Sequence, residues 1–180
     1  MATPTSLPAT FVAGNVLTAA QMNDLRGAFR VLQIVTAHKT DTFTTSSTSF
    51  VDLTGLSASI TPSSTSSTIL VGYAIQGQGL LNTNMGVTQI VRGVTAVGNA
   101  DASGNRSVGN AVISELVAAQ IGTVTNWYMD SPTTTSATTY KLQVKTNSAG
   151  TIYINRTITN SDLAAFGVGT SSFVVMEISA

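Results

Sequence analysis

Chemistry needs ionisable or nucleophilic side chains that the chain can bring together, and this sequence supplies few. His38 is the single histidine and there is no cysteine, so a multi-histidine or thiolate metal site, a thiol nucleophile and a disulfide scaffold are excluded. Its neighbours Lys39 and Asp41 form no triad with a serine on a glycine elbow, and His38 reads as a solvated strand-end residue. The carboxylates are Asp24, Asp41, Asp52, Asp101, Glu115, Asp130, Asp162 and Glu177, no two within seven residues of each other, so nothing local suggests a glycosidase pair. Neither a phosphate-cradling glycine loop nor a calcium loop occurs. The expectation is a non-enzyme without metal or cofactor. Asp130-Ser131-Pro132 reads as a turn, with Asp130 capping its own backbone and Pro132 fixing the next φ.

The remaining candidates are for binding. Arg92 and Arg156 lie in or beside apolar strands, where a guanidinium needs a carboxylate or carbonyl partner; inter-subunit pairing is expected, with ligand binding as the alternative. Trp127 and Tyr128, with Tyr140 and Tyr153, offer aromatic surface on which a sugar could stack, although aromatics in sandwich strands are core more often. Residues 98–105, with Asn99, Asp101 and Asn105, form a long polar loop that is either a recognition site or merely solvated. The sequons Asn105-Arg106-Ser107 and Asn155-Arg156-Thr157 carry little weight without a secretory signal.

Composition narrows the partners. Eight basic and eight acidic residues are spread singly and cancel, leaving no basic stripe for a phosphate backbone, so no nucleic acid is expected. The chain is 43% hydrophobic but 9% charged, against roughly 25% charged in ordinary domains. Ser/Thr tracts at 44–49 and 63–68 stand in for charge as solvating surface. No apolar run approaches the roughly 18 residues of a membrane span, and the N-terminus has no positive leader region. Membrane insertion is not expected, and synthesis is expected in the producer's cytoplasm. At 180 residues and 18.5 kDa the chain has room for one domain and a short appendage.

Two regions position these residues. Residues 1–35 form an anchoring arm and helix: Pro4 and Pro8 keep the start extended, and Thr18-Ala19-Ala20-Gln21 is a capping box with Leu17 and Met22 as its staple. Met22, Leu25, Phe29 and Leu32 recur at helical spacing, predicting a helix that ends near Gln33. That stripe packs on its own domain or a partner protein, or forms a short parallel three-helix bundle. Residues 36–180 read as a mainly β, antiparallel sandwich or jelly roll. Its strands are expected near 34–37, 49–52, 56–61, 68–76, 86–93, 107–118, 122–129, 139–146, 151–155 and 172–178. Residues 147–150 read as the turn of a hairpin. Runs such as 69–75 and 173–176 are apolar on both faces, so another copy is expected to cover some outward surface.

Three stretches resemble phage virion proteins with C-terminal trimeric jelly-roll knobs of the tumour-necrosis-factor type, many from cyanophages and other environmental phages. They are residues 130–141, Gly150-Thr151-Ile152-Tyr153-Ile154-Asn155-Arg156, and Ser172-Phe173-Val174-Val175-Met176-Glu177-Ile178. Residues 53–62 resemble the opening strand of that module, and residues 11–23 are similar to a segment near the start of many phage tail and fibre proteins. One departure is Arg92-Gly93-Val94-Thr95, where the family often has Arg-Asn-Gly. The resemblance implies a homotrimeric virion component, a tail fibre or spike. It would be assembled on the particle through residues 1–35 with other virion proteins, and would meet a host-surface glycan or protein. A capsid decoration protein, a soluble lectin-like module and a glycan-degrading tailspike are the alternatives.

Overall fold

The computed structural model describes residues 14, 16, 18–19, 31–79, 85–114, 116, 119–148 and 150–179. Gln21, Met22, Leu25 and Phe29 of the expected helix lie outside them. Leu32 does not belong to a helix: it sits in β1 (Val31–Lys39), 42% exposed. The helical spacing loses there because the β-branched run from Val31 gains a ladder with the C-terminal strand β11 (Ser171–Ile178), an instance of tertiary pairing overriding local pattern.

The other strands are β2 (Phe43–Thr45), β3 (Val51–Ile60), β4 (Thr68–Gly79), β5 (Gly86–Arg92), β6 (Thr95–Val97), β7 (Ala111–Ile113), β8 (Gly122–Asp130), β9 (Thr138–Thr146) and β10 (Ile152–Ile154). They make two antiparallel sheets. In the first, β1, β11, β4 and β8 lie side by side, and β10 and β2 extend it beyond β11 along the second half of β4. In the second, the order is β3, β9, β5, with β6 and β7 sharing the far edge of β5. The chain crosses repeatedly from sheet to sheet, so most neighbours in a sheet are distant in sequence. This is the jelly-roll form of the antiparallel sandwich.

Alternation builds the core. Ile69, Val71, Tyr73 and Ile75 of β4 face Tyr140, Leu142 and Val144 of β9 in one buried cluster completed by Ile90, Ile113, Phe173 and Val175. Each fully buried side chain of this size is worth about 1.5–3 kcal/mol of transfer free energy. In β3 the inward residues Leu53 and Leu56 are three apart, which simple alternation forbids. An irregularity between Asp52 and Ser57, with Gly55 at φ 90°, adds the residue that rephases the strand. The expected strands at 49–52 and 56–61 are thus one.

Two further expectations change. Residues 147–150 are no hairpin turn: β9 belongs to the second sheet and β10 to the first, and the segment crosses the sandwich. Asn147 holds the crossing, its N–H donating to Met85 O at 3.1 Å and its Oδ1 accepting from Met85 N–H at 3.0 Å. Residues 115, 117 and 118 of the strand expected at 107–118 lie outside the described residues, and among the rest Ala111–Ile113 is strand. Before it, Asn110 bridges the gap between β6 and β7, accepting from Ile90 N–H and donating to Val97 O at 2.9 Å. The short strands β2 and β6 carry too few residues to show a pattern and were not expected.

Candidate functional site

The ionisable residues come first, because any reaction would start with them. Asp130 ends β8 and is buried; Arg92 Nη1 donates to both of its carboxylate oxygens at 3.0 and 2.9 Å, and Tyr140 Oη donates to Oδ2 at 2.6 Å. Asp130 therefore ties the two sheets together instead of capping its own turn. Burial, with the adjoining carboxylate, pushes the Tyr140 phenol far above its ordinary range. Arg92 thus meets its carboxylate within its own chain, and Arg156 lies over the Tyr153 ring at 4.7 Å, a cation–π contact.

Glu177 is fully buried in β11 and accepts hydrogen bonds from Gln33 Nε2 (2.6 Å), Ser63 N–H (2.7 Å), Ser63 Oγ (2.6 Å) and Ser67 Oγ (2.7 Å). Burial acts to raise its pKa, but these donors together outweigh burial and hold the carboxyl at about 2. Part of the Ser/Thr tract at 63–68 is therefore internal scaffolding, where sequence suggested only a wet surface. Lys39 is buried with its Nζ 2.8 Å from Asp41, and Lys141 pairs with Asp52 at 2.9 Å. Among the described residues no cluster of three histidine or acidic side chains could hold a metal. The second sequon is closed by structure: Asn155 is fully buried at φ 60°, donating from Nδ2 to the carbonyls of Lys39 and Asp41 and accepting from Ser171 Oγ.

The recognition candidates separate. Trp127 and Tyr128 are adjacent on β8 and point to opposite faces. Tyr128 packs on the core beneath Gly98. Trp127 is 54% exposed on the outer face of the first sheet, its ring laid over Gly72 so closely that a Cβ there would sit 2.2 Å from Cε3. Asn99 is half-buried and donates to Gln89 Oε1 at 3.3 Å, while Asp101 and Asn105 are exposed in the loop between β6 and β7. Loop and Trp127 lie on different sides of β8 and form no single platform. His38 is exposed on β1.

The surface that sequence reasoning did not assemble is the outer face of the first sheet. Register aligns it in rows: Ile34, Met176, Leu70 and Met129; then Thr36, Val174, Gly72 and Trp127; then His38, Ser172, Ala74 and Thr125. Ile34 and Met129, at the two ends of the first row, are 56% and 50% exposed. The rows contain no Asp, Glu, Lys or Arg. The opposite outer face has the usual solvent-facing chemistry, with the Asp52–Lys141 ion pair, Lys145 above the Phe50 ring, and Gln89 donating to Gln143. The doubly apolar runs of β4 and β11 were the signal in sequence; which strands stand beside them was not.

Fold and surface together define a mainly β jelly-roll sandwich with one uncharged, partly apolar face. No family model matches the chain, and no curated protein matches it in sequence. Among solved structures it is similar to a chain described as "Structure of infectious bursal disease virus Gx strain", at 15% identity and a TM-score of 0.42. The match covers 81% of this chain and 39% of that one.

Proposed function

We propose that the chain is a non-enzymatic structural protein of a bacteriophage particle, a component of a tail fibre, spike or similar appendage. It docks by its N-terminal region and presents a homotrimeric knob for host-surface contact. The observation that carries this reading is the uncharged outer face of the first sheet, paired with acidic residues that are bound into structural contacts at Asp130 and Glu177. A chain built this way spends its polar chemistry on holding its shape and leaves one surface for assembly. The resemblance of residues 11–23 and of the later strands to phage appendage proteins supports the particle and the number three. Mechanism is then multivalency: identical knobs raise weak surface binding through effective concentration, with no covalent step.

Two measurements test it. Light scattering after size exclusion is expected to give three times the 18.5 kDa chain mass. Electron microscopy of phage particles labelled with an antibody to the chain is expected to place it at the tail. Label over the head shell would replace the appendage with a capsid decoration protein, and unlabelled particles would sink the virion reading. A monomer, with Trp127 emission that responds to sugars, would favour the lectin-like module.

A further inference from the structure

At one end of the sandwich, the loop between β8 and β9 and the Gly93-Val94 turn between β5 and β6 border an open cleft of about 410 Å³, whose walls include Arg92, Gly93, Pro132, Thr134 and Thr138. That volume lies within the roughly 300–1,000 Å³ of small-ligand sites. Arg92 is the only charged residue among the described residues that line it. The walls are fixed. Gly93 N–H donates to Thr139 O at 2.8 Å, Ser136 N–H donates to Thr134 Oγ1 at 3.0 Å, and Thr138 Oγ1 donates to Ser136 O at 3.0 Å. Between them Thr133 is held at φ 52°, which a β-branched residue rarely adopts. Strain of this kind persists where the surroundings enforce it, and it clusters at ligand clamps.

Arg92 is set for a second acceptor. All the hydrogen bonds it makes among the described residues leave from Nη1 and end on Asp130, which with Tyr140 lies behind the cleft and not in its lining. The edge formed by Nε and Nη2, whose two parallel N–H groups match the two oxygens of a carboxylate, stays open, and the side chain is 31% exposed. Asp130 already holds the guanidinium in place, so binding loses little side-chain entropy. Thr134 Oγ1 accepts from Ser136 and keeps its own O–H to donate. A basic group would be repelled here, and a nucleic acid needs a row of cations where the cleft offers one.

The cleft lies at the end of the sandwich where the chain enters. Asp130, Ile69, Glu177 and Gln33 share one row across the first sheet, and Val31 stands opposite Ile178 just beyond it. Residues 1–30 therefore join the sandwich at the end that carries the cleft. Resting on the reading that the chain docks by its N-terminal region, we infer that the cleft receives an acidic side chain, aspartate or glutamate, of the particle protein on which it docks. Arg92 Nε and Nη2 donate to the carboxylate, and the Thr134 hydroxyl donates beside them.

The probe is a capped tripeptide, acetyl-Ser-Glu-Ser-amide, titrated into the full-length protein and followed by proton–nitrogen NMR at Arg92 Nε–H and at the Gly93 and Thr138 amides. Saturable shifts at these groups are expected, with the glutamine counterpart binding about tenfold more weakly, because charged hydrogen bonds exceed neutral ones. Arg92→Lys keeps a cation against Asp130 but lacks the fork, and is expected to lose the binding while remaining folded by circular dichroism. Thr134→Val leaves the Arg92–Asp130 pair in place and is expected to weaken binding several-fold, a test that stands even if Arg92→Lys does not fold. No shift with the glutamate peptide, or equal shifts with both peptides, overturns the site. Glucuronate binding more tightly than the glutamate peptide overturns the protein partner in favour of an acidic saccharide. Peptide binding by a chain that antibody labelling does not find on particles overturns the docking role, whereas labelled particles without peptide binding overturn the site and leave the particle reading intact.

Discussion

At the scale of single residues, the most demanding position is Glu177. A buried carboxylate is costly unless donors surround it, and here one glutamine, two serine hydroxyls and a backbone N–H do so. Its folded pKa of about 2 lies below the ordinary 4.5, so the unfolded chain binds the proton more readily. The stabilisation is complete above about pH 4.5 and is lost as pH falls from there towards 2. The urea midpoint is expected to drop over that interval. Glu177→Gln should cost about 2 kcal/mol at neutral pH, because charged hydrogen bonds become neutral ones, and should flatten the acid limb of the midpoint curve. An unchanged acid limb in the variant would assign the acid sensitivity elsewhere.

At the scale of elements, β4 and β8 meet at Gly72 and Trp127, where the ring occupies the volume a side chain would need. Gly72→Ala is expected to displace the indole and destabilise by about 1–2 kcal/mol, as overpacking does. In a Trp127→Ala background the same change should be neutral or stabilising, since alanine has the lower conformational entropy cost, by about 0.5–1 kcal/mol. A double-mutant cycle at fixed protein concentration, read by denaturant unfolding, measures the coupling. Additive effects would show that ring and glycine do not interact.

Elements also show what the sequence could and could not reveal. Runs of β-branched and aromatic residues bounded by Gly, Ser, Thr and Asn located β4, β5, β8, β9 and β11 to within a few residues, because composition and turn boundaries are local properties. Pairing is not local. The crossing at 147–150 has turn residues and flanking alternation, yet its strands serve different sheets. Asp130 looked like a turn residue for the same reason, since its partners Arg92 and Tyr140 are supplied by the second sheet. The polar residues that matter structurally, Glu177 and Asn155, had no local signature. The apolar face was half legible: its central strands were visible as doubly apolar runs, while Ile34, Trp127 and Met129 became part of it only through register.

At the scale of the whole molecule, the asymmetry between an ion-paired face and an uncharged one predicts how association responds to conditions. Added salt screens charges, and the three rows of the outer face of the first sheet contain no Asp, Glu, Lys or Arg. The assembled mass is therefore expected to hold from about 0.05 M to about 1 M sodium chloride, and to loosen on cooling towards 0 °C as apolar association weakens. Dissociation by salt at constant temperature would point to a polar contact.

The ladder between β1 and β11 has one more consequence. Val31 opens β1 opposite Ile178, and the register runs antiparallel from there to Lys39 and Ser171. A knob held by the residues before Val31 would be pulled lengthwise along β1. Traction in that direction slides one strand past the other, so the cross-strand bonds must yield together, whereas peeling would open them singly. An attachment through the residues before Val31 would thereby be a shear joint, with a yield force that scales with the length of β1.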